Sequence, residues 1–193
     1  MSATPSFPAL LQRFFTDRLM QQRRASPHTI GSYRDTFRLL LRFAQTRLGR
    51  QPSQLAFEQI DAPLIAAFLD ELQDKRKITA RSRNLRLTAI RSFFRYAAFE
   101  APTHAEQIQR VLAIPSQRFM RTQIGFLTRP EVDALLAAPD RQTWSGRRDH
   151  ALLLLAVQAG LRLSELTAMR RDTVILGSGA HVLVMGKGRK ERA

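Results

Sequence analysis

The stretch Ala159-Gly160-Leu161-Arg162-Leu163-Ser164-Glu165-Leu166 decides the fold, because the pattern of the chain changes on either side of it. Ahead of it, a helix beginning at Asp149 carries the run Ala151-Leu152-Leu153-Leu154-Leu155-Ala156-Val157. That run is apolar nearly all round, as expected of a helix buried at the centre of a domain. Gly160 stops it, and helix resumes from Ser164 to Arg170. The period then shortens. Thr173-Val174-Ile175-Leu176 and His181-Val182-Leu183-Val184-Met185 read as two strands joined by Gly177-Ser178-Gly179. Gly186-Lys187-Gly188-Arg189-Lys190 is a basic turn leaving the second strand, and no third strand or closing helix is expected before Ala193.

Working upstream, Thr128 and Glu131 stand at capping-box spacing, with Leu127 as the staple residue. They open a region, 126–193, that starts with a short helix to Ala138 and a loop around Trp144-Ser145-Gly146. Residues 101–125 contain Pro102 and Pro115, lose periodicity and read as a linker, with a helical turn around Ala105 to Leu112 as its only regular feature. Residues 1–100 read as four short-looped helices, a compact bundle. Leu10, Leu11, Phe14, Phe15 and Leu19 mark a first helix from Phe7 to Arg24. Ser26-Pro27 starts a second, whose stripe of Ile30, Tyr33, Phe37, Leu40, Leu41, Ala44 and Leu48 ends at Gly49. Asp61 and Pro63 start a third, which buries Leu64, Ile65, Phe68, Leu69 and Leu72 and is followed by a loop at residues 74–77. Thr79 caps a fourth that runs to Phe99. The fold class is therefore mainly α, a four-helix unit followed by a mixed α/β region.

Charge points to a polyanion partner. The chain holds 31 Lys and Arg against 16 Asp and Glu, a formal charge of +15, and 27 of the basic residues are arginine, the better bidentate ligand for phosphate. The densest cluster is Lys75, Arg76, Lys77, Arg81, Arg83, Arg86, Arg91 and Arg95, a span without one acidic residue. A charge run of this kind also occurs as a plain solvated face. A hydrophobic share of 44% excludes a disordered basic tail and a collagen-like chain. No apolar run approaches the roughly 20 residues of a membrane helix, and the first residues have no secretory pattern. Cysteine is absent, which removes disulfides, thiolate metal sites and a cysteine nucleophile, and fits a cytoplasmic location. His28, His104, His150 and His181 lie far apart without metal-ligand spacing, so no metal site is expected.

Five pieces, in order, resemble the tyrosine recombinase or phage integrase family, particularly its Xer-like bacterial members. Ser26-Pro27-His28-Thr29 followed by Tyr33 is similar to the opening of the family's SAM-like core-binding domain, and residues 86–96 to its last helix. Residues 126–132 are similar to the start of its catalytic domain, and residues 159–166 and 186–192 together to roughly the first half of its active site. The resemblance implies phosphoryl transfer without metal or nucleotide: a tyrosine attacks a DNA phosphodiester, leaving a 3′-phosphotyrosine and a free 5′-hydroxyl. By position in the motif, Arg162 is the first guanidinium on the nonbridging oxygens, where charge builds in the transition state. Lys187 is the hairpin lysine that protonates the leaving 5′-oxygen. Taken alone, Arg162 also reads as a surface arginine at a helix start, and Lys187, with Arg189 and Lys190, as a basic turn making only phosphate contacts. Glu165 orients the site or caps its helix.

The family's His-x-x-Arg, its later His or Trp, and its tyrosine nucleophile all lie beyond the hairpin, and these 193 residues do not contain them. Tyr33 and Tyr96 are the only tyrosines, and both fall on helices of the first unit. No strand cleavage is expected from this chain alone. Two functions follow from the resemblance. One is the DNA-binding portion of a site-specific recombinase, with duplex DNA and other recombinase protomers as partners. The other is a non-catalytic DNA-binding protein that occupies recombination sites or regulates a full-length partner.

Overall fold

The computed structural model describes residues 6–120, 123 and 125–186, with the backbone of 191 and 192. The chain divides into two units, 1–121 and 122–193. In the first, helix α1 (Phe7–Arg13) continues without a break into a π-helical segment, Phe14–Gln22. The Arg23 N–H donates to the Arg18 carbonyl, five residues back, at 3.0 Å. This wider turn brings both Phe14 and Leu19 into the core, so the helix expected over 7–24 is an α-helix only in its first part.

The next three helices start at local caps. Helix α2 (Pro27–Leu48) begins where Ser26 Oγ accepts the Thr29 N–H at 3.2 Å, and Gly49, at φ +65°, closes it. Helix α3 (Ala62–Arg76) is capped by Asp61, whose Oδ1 accepts the Leu64 N–H at 2.8 Å. It buries Leu64, Ile65, Phe68, Leu69 and Leu72 and takes in residues 74–76, where a loop was expected, before Lys77 ends it in a left-handed conformation. Helix α4 (Ala80–Glu100) is capped by Thr79, whose Oγ1 accepts the Ser82 N–H at 3.2 Å.

Phe93 of α4 organises the core. Its ring is fully buried and meets Phe7, Phe14, Phe37 and Phe94 edge-on, at centroid separations of 5.7, 5.6, 5.4 and 5.3 Å. Arg13 and Glu100 close the bundle at the surface with a 2.6 Å ion pair. The expected linker over 101–125 is only partly irregular. Helix α5 (Ala105–Ala113) packs on the same core through Ile108 and Val111. Its Gln107 Nε2 donates to the carbonyls of Phe57 and Ile60 at 2.7 and 3.2 Å.

In the second unit, helix α6 (Arg129–Ala137) starts at the predicted box. Glu131 Oε2 accepts from the Thr128 N–H at 2.7 Å and from its hydroxyl at 2.8 Å, and these bonds, the backbone one foremost, lower the Glu131 pKa. Helix α7 (Trp144–Ala159) starts earlier than Asp149, because Thr143 Oγ1 accepts the Gly146 N–H at 3.0 Å. The expected loop at 144–146 is thus the helix's first turn. Only glycine fits at 146: a Cβ there would lie 1.8 Å from the Asp140 carbonyl oxygen.

Gly160, at φ +59°, ends α7, and helix α8 (Leu163–Thr167) follows. Strand β1 (Val174–Ile175) pairs antiparallel with β2 (His181–Val182), Val174 opposite Val182. Strand β3 (Val184–Met185) pairs antiparallel with β4 (Glu191–Arg192), Val184 opposite Arg192. Strand β4 corrects the expectation that nothing pairs after the second strand. Burial in α7 is a second correction. No side chain in the run Ala151–Val157 is buried, and Val157 is 44% exposed. Among the described apolar residues of this unit, only Val184 is buried.

Two outcomes follow. Phe93→Ala opens the aromatic cluster and lowers the stability of the first unit by about 3–5 kcal/mol, read from urea unfolding. The lowered Glu131 pKa makes the α6 cap fully effective above the unfolded carboxyl's pKa and progressively lost as pH falls through the folded one. Acid titration of second-unit melting shows this as a decline that Glu131→Gln flattens.

Candidate nucleic-acid interface and active-site residues

The eight basic residues of the 75–95 span separate by direction. Lys75, Arg76 and Lys77, at the end of α3, and Arg81, in the first turn of α4, are exposed and close in sequence. Lys75 pairs with the half-buried Glu71, at 3.2 Å. Arg95 is also exposed, on the same outer stripe of α4 as Arg81. Fourteen residues separate the two, about 21 Å along a helix rising 1.5 Å per residue.

Arg83, Arg86 and Arg91 turn inward. Arg86 Nη1 donates to Thr36 Oγ1 at 3.0 Å and to the Ser32 carbonyl at 3.4 Å, stitching α4 to α2. Arg83 is 6% exposed, donates to the Pro115 carbonyl at 3.5 Å and lies 3.7 Å from Asp70. Arg91 donates to the Ile114 carbonyl and, at 3.3 Å, to Ser116 Oγ. Between them Asn84 makes a reciprocal pair with the Gln117 backbone: its Oδ1 accepts the N–H at 2.9 Å and its Nδ2 donates to the carbonyl at 2.7 Å. These side chains strap residues 114–117 onto α4. Arg83 and Arg91 therefore hold the chain's own backbone rather than facing a partner. Helical phase carries the signal for Arg83, which sits four residues ahead of Leu87 on the apolar stripe.

An arginine row on α2 was missed by charge counting along the sequence. Arg34, Arg38 and Arg42 are exposed at four-residue spacing, a signal visible in the sequence. Arg34 and Arg38 border a groove with Phe7, Leu11 and Phe37, on the α1 flank, whereas Ser32 and Thr36 meet Arg86 of α4. The row is thus separate from the α4 surface.

Arg162 is the N-cap residue of α8, delivered there by the reversal at Gly160. One carboxylate holds it at both ends. Glu165 Oε2 accepts the Arg162 backbone N–H at 2.9 Å, and Oε1 accepts from Nη1 at 2.9 Å. The Glu165 side chain is 4% exposed and that of Arg162 is 62% exposed. A buried anion thus aims an accessible guanidinium whose remaining donors are available to a phosphate. Lys187, Arg189 and Lys190 lie outside the described residues.

Both tyrosines lie against the aromatic core of the first unit. Tyr33 stacks on Phe14 at 6.4 Å, and burial, followed by the charge of Glu100, raises the Tyr96 pKa. Among the described residues no group of three or more His, Asp or Glu could hold a metal ion, and no helix is long and apolar enough to cross a membrane. Trp144, at the start of α7, is 69% exposed and stacks with Arg148, whose guanidinium carbon lies 5.3 Å from the ring centre.

Residues 11–101 match the phage integrase N-terminal SAM-like domain, and residues 125–193 match the phage integrase family. The integrase/recombinase y4rC of Sinorhizobium fredii is 70% identical over 192 residues, which are 100% of this chain and 58% of that protein. A second protein of that organism, the integrase/recombinase y4rD, is 46% identical over 184 residues, 95% of this chain and 66% of the relative. The chain thus spans 58% and 66% of the lengths of these curated relatives. Among solved structures, the XerH site-specific recombinase, bound to palindromic difH substrate in a post-cleavage complex, shares 19% identity and a TM-score of 0.61 over 88% of this chain and 49% of its own. That likeness establishes the fold: a mainly helical chain with a SAM-like first domain and a small sheet in the second unit.

The strap gives a measurable consequence. Asn84→Ala removes two hydrogen bonds, and at about 1 kcal/mol each this raises local opening of residues 114–117 by about thirtyfold. Tryptic cleavage after Arg118 accelerates accordingly, while amide protection around Phe93 is unchanged.

Proposed function

Because the chain belongs to the phage integrase family of tyrosine recombinases, we propose that it supplies the DNA-gripping unit and the first catalytic arginine of a site-specific recombinase. The observation that carries this reading is the Arg162–Glu165 arrangement inside the stretch matched to the integrase family. A guanidinium fixed through a buried carboxylate needs little reorganisation as charge grows on a phosphodiester, which is the condition for electrostatic stabilisation of the transition state. The chemistry is a balanced exchange of esters. A tyrosine oxygen bonds to phosphorus as the bond to the 5′-oxygen breaks, the phenolic proton leaves, and a proton reaches the 5′-oxygen, the role of Lys187.

Duplex DNA is the partner that fits the exposed cations Lys75, Arg76, Lys77, Arg81 and Arg95. Arg189 and Lys190 would add phosphate contacts beside Lys187. The family's nucleophile and His-x-x-Arg are not in these 193 residues, and the packing of Tyr33 and Tyr96 favours a structural role for both. The chain by itself is therefore a DNA binder without strand cleavage, and regulation of a full-length partner at a shared site is compatible with that.

Binding to duplex DNA should be steeply salt-dependent, each neutralised phosphate adding about 0.9 to the log–log slope. Neutralising Lys75, Arg76 and Lys77 together lowers the slope, and Arg95→Glu weakens binding. Arg162→Ala leaves affinity nearly unchanged, because its target is the reacting phosphate. A slope near zero for the unsubstituted chain, or a covalent adduct on a suicide duplex, overturns the corresponding part of this reading.

A further inference from the structure

The open face of α4 has cationic ends and an apolar centre. At about 100° per residue, Arg81, Leu85, Thr88, Ser92 and Arg95 fall within a stripe about 80° wide. Arg81, Thr88 and Arg95 are exposed, and Leu85 is 61% exposed. Thr88 stands seven residues from each arginine, about 10 Å along the axis, and Leu85 lies just under one turn before it. A single exposed leucine is ordinary on a protein surface. This one sits inside the span 75–95, which has no acidic residue.

The groups of α4 that could read a base edge by hydrogen bonding are used elsewhere. Arg86 is bonded to Thr36 and Ser32, Arg91 to Ile114 and Ser116, and Asn84 to both backbone groups of Gln117. The Thr88 hydroxyl donates its proton to the Asn84 carbonyl at 2.8 Å, so it has none for the acceptors of guanine. Between its end arginines the open stripe holds Leu85, Thr88 and Ser92, with no guanidinium and no amide. Duplex DNA offers a matching surface. Its major groove is about 12 Å wide and edged by phosphates, so cations about 21 Å apart on one helix can engage both edges while the helix centre faces the bases. The apolar group on that groove floor is the C5-methyl of thymine.

We infer that α4 reads sequence by apolar contact, with Leu85 and Thr88 against thymine methyl groups and Arg81 and Arg95 on the flanking phosphates. The inference rests on the duplex-DNA reading above and deepens it. Charge supplies the grip, and methyl groups supply the sequence. Sites preferred by the first unit therefore carry neighbouring thymines beneath Leu85 and Thr88, and guanine is disfavoured there because the arginines that would read it are turned inward.

The test begins with selection of duplexes from a random pool by the 193-residue chain. Each thymine of the selected duplex is then replaced singly by deoxyuridine, which deletes the methyl group and keeps the base pair. Binding is read by fluorescence anisotropy at one fixed salt concentration. The expected result is two neighbouring thymines at which the replacement weakens binding about fourfold, the factor for burying one methyl-sized group. Leu85→Ala removes the penalty at one of them. Thr88→Ser, which keeps the hydroxyl bond to Asn84 and loses only a methyl, removes it at the other. Both positions are exposed, so the fold is retained, and the salt slope is unchanged because no phosphate contact is lost. Phe99→Ala, at a position 85% exposed but beyond Arg95, leaves both penalties in place. A pool without a preferred sequence overturns the inference, as does a selected duplex in which no thymine methyl matters. Penalties that persist in the Leu85→Ala, Thr88→Ser double variant also overturn it, and so does their loss in Phe99→Ala. A response to one variant alone overturns the role of the other residue. In each of these failures salt-dependent binding to unselected duplex persists. Its absence would instead strike the duplex-DNA reading itself.

Discussion

Phe93 is the point on which the first unit depends. Rings from α1, the π-helical segment, α2 and α4 itself converge on it, so the rotation of α4 about its own axis is fixed by aromatic packing. Once that rotation is set, every other side chain of α4 has its direction. Arg83 faces the strap, Arg86 reaches α2, Arg91 reaches residues 114 and 116, and Arg81 and Arg95 face solvent. A basic helix becomes a selective surface because its hydrophobic side decides which of its cations are available.

Much of this was legible in the sequence where the determinants are local. Ser26, Asp61 and Thr79 mark helix starts because a side-chain oxygen and a backbone N–H three residues on suffice to make the cap, and Thr128 does so because the Glu131 carboxylate reaches back to its N–H. Helix α5 was harder to read, since its main contribution is the two residues Ile108 and Val111, whose partners lie far away in sequence. Gly146 misled for a specific reason. Glycine usually argues for a loop, yet here it is needed inside a first helical turn because the Asp140 carbonyl occupies the space of a side chain. The π-helical widening leaves no composition signal either, as it exchanges one backbone partner for another.

The candidate site shows the same division. The motif alone singled out Arg162, but the bidentate use of Glu165, one oxygen for the main chain and one for the guanidinium, is a three-dimensional fact. Positive charge, by contrast, overcounted the interface. Arg83 and Arg91 contribute to the formal charge of +15 while one Nη of each is turned to a backbone carbonyl, of residues 115 and 114. The two units also differ in kind. The first is organised around buried aromatic rings, whereas the second relies on caps, a glycine-dependent turn and short strand pairs, with Val184 its one buried apolar residue among those described.

Trp144 at the head of α7 has a practical corollary. It is the chain's single tryptophan, and the two tyrosines, Tyr33 and Tyr96, both belong to the first unit. Its indole is largely open to water and stacked with Arg148, so its emission is sensitive to anything that desolvates that end of the helix or displaces the guanidinium. Excitation of tryptophan beyond the tyrosine band therefore reports from the second unit, and the tyrosine signal, once separated from the overlapping indole absorption, reports from the first. The molecule carries a separate optical reporter for each of its parts without any label being added.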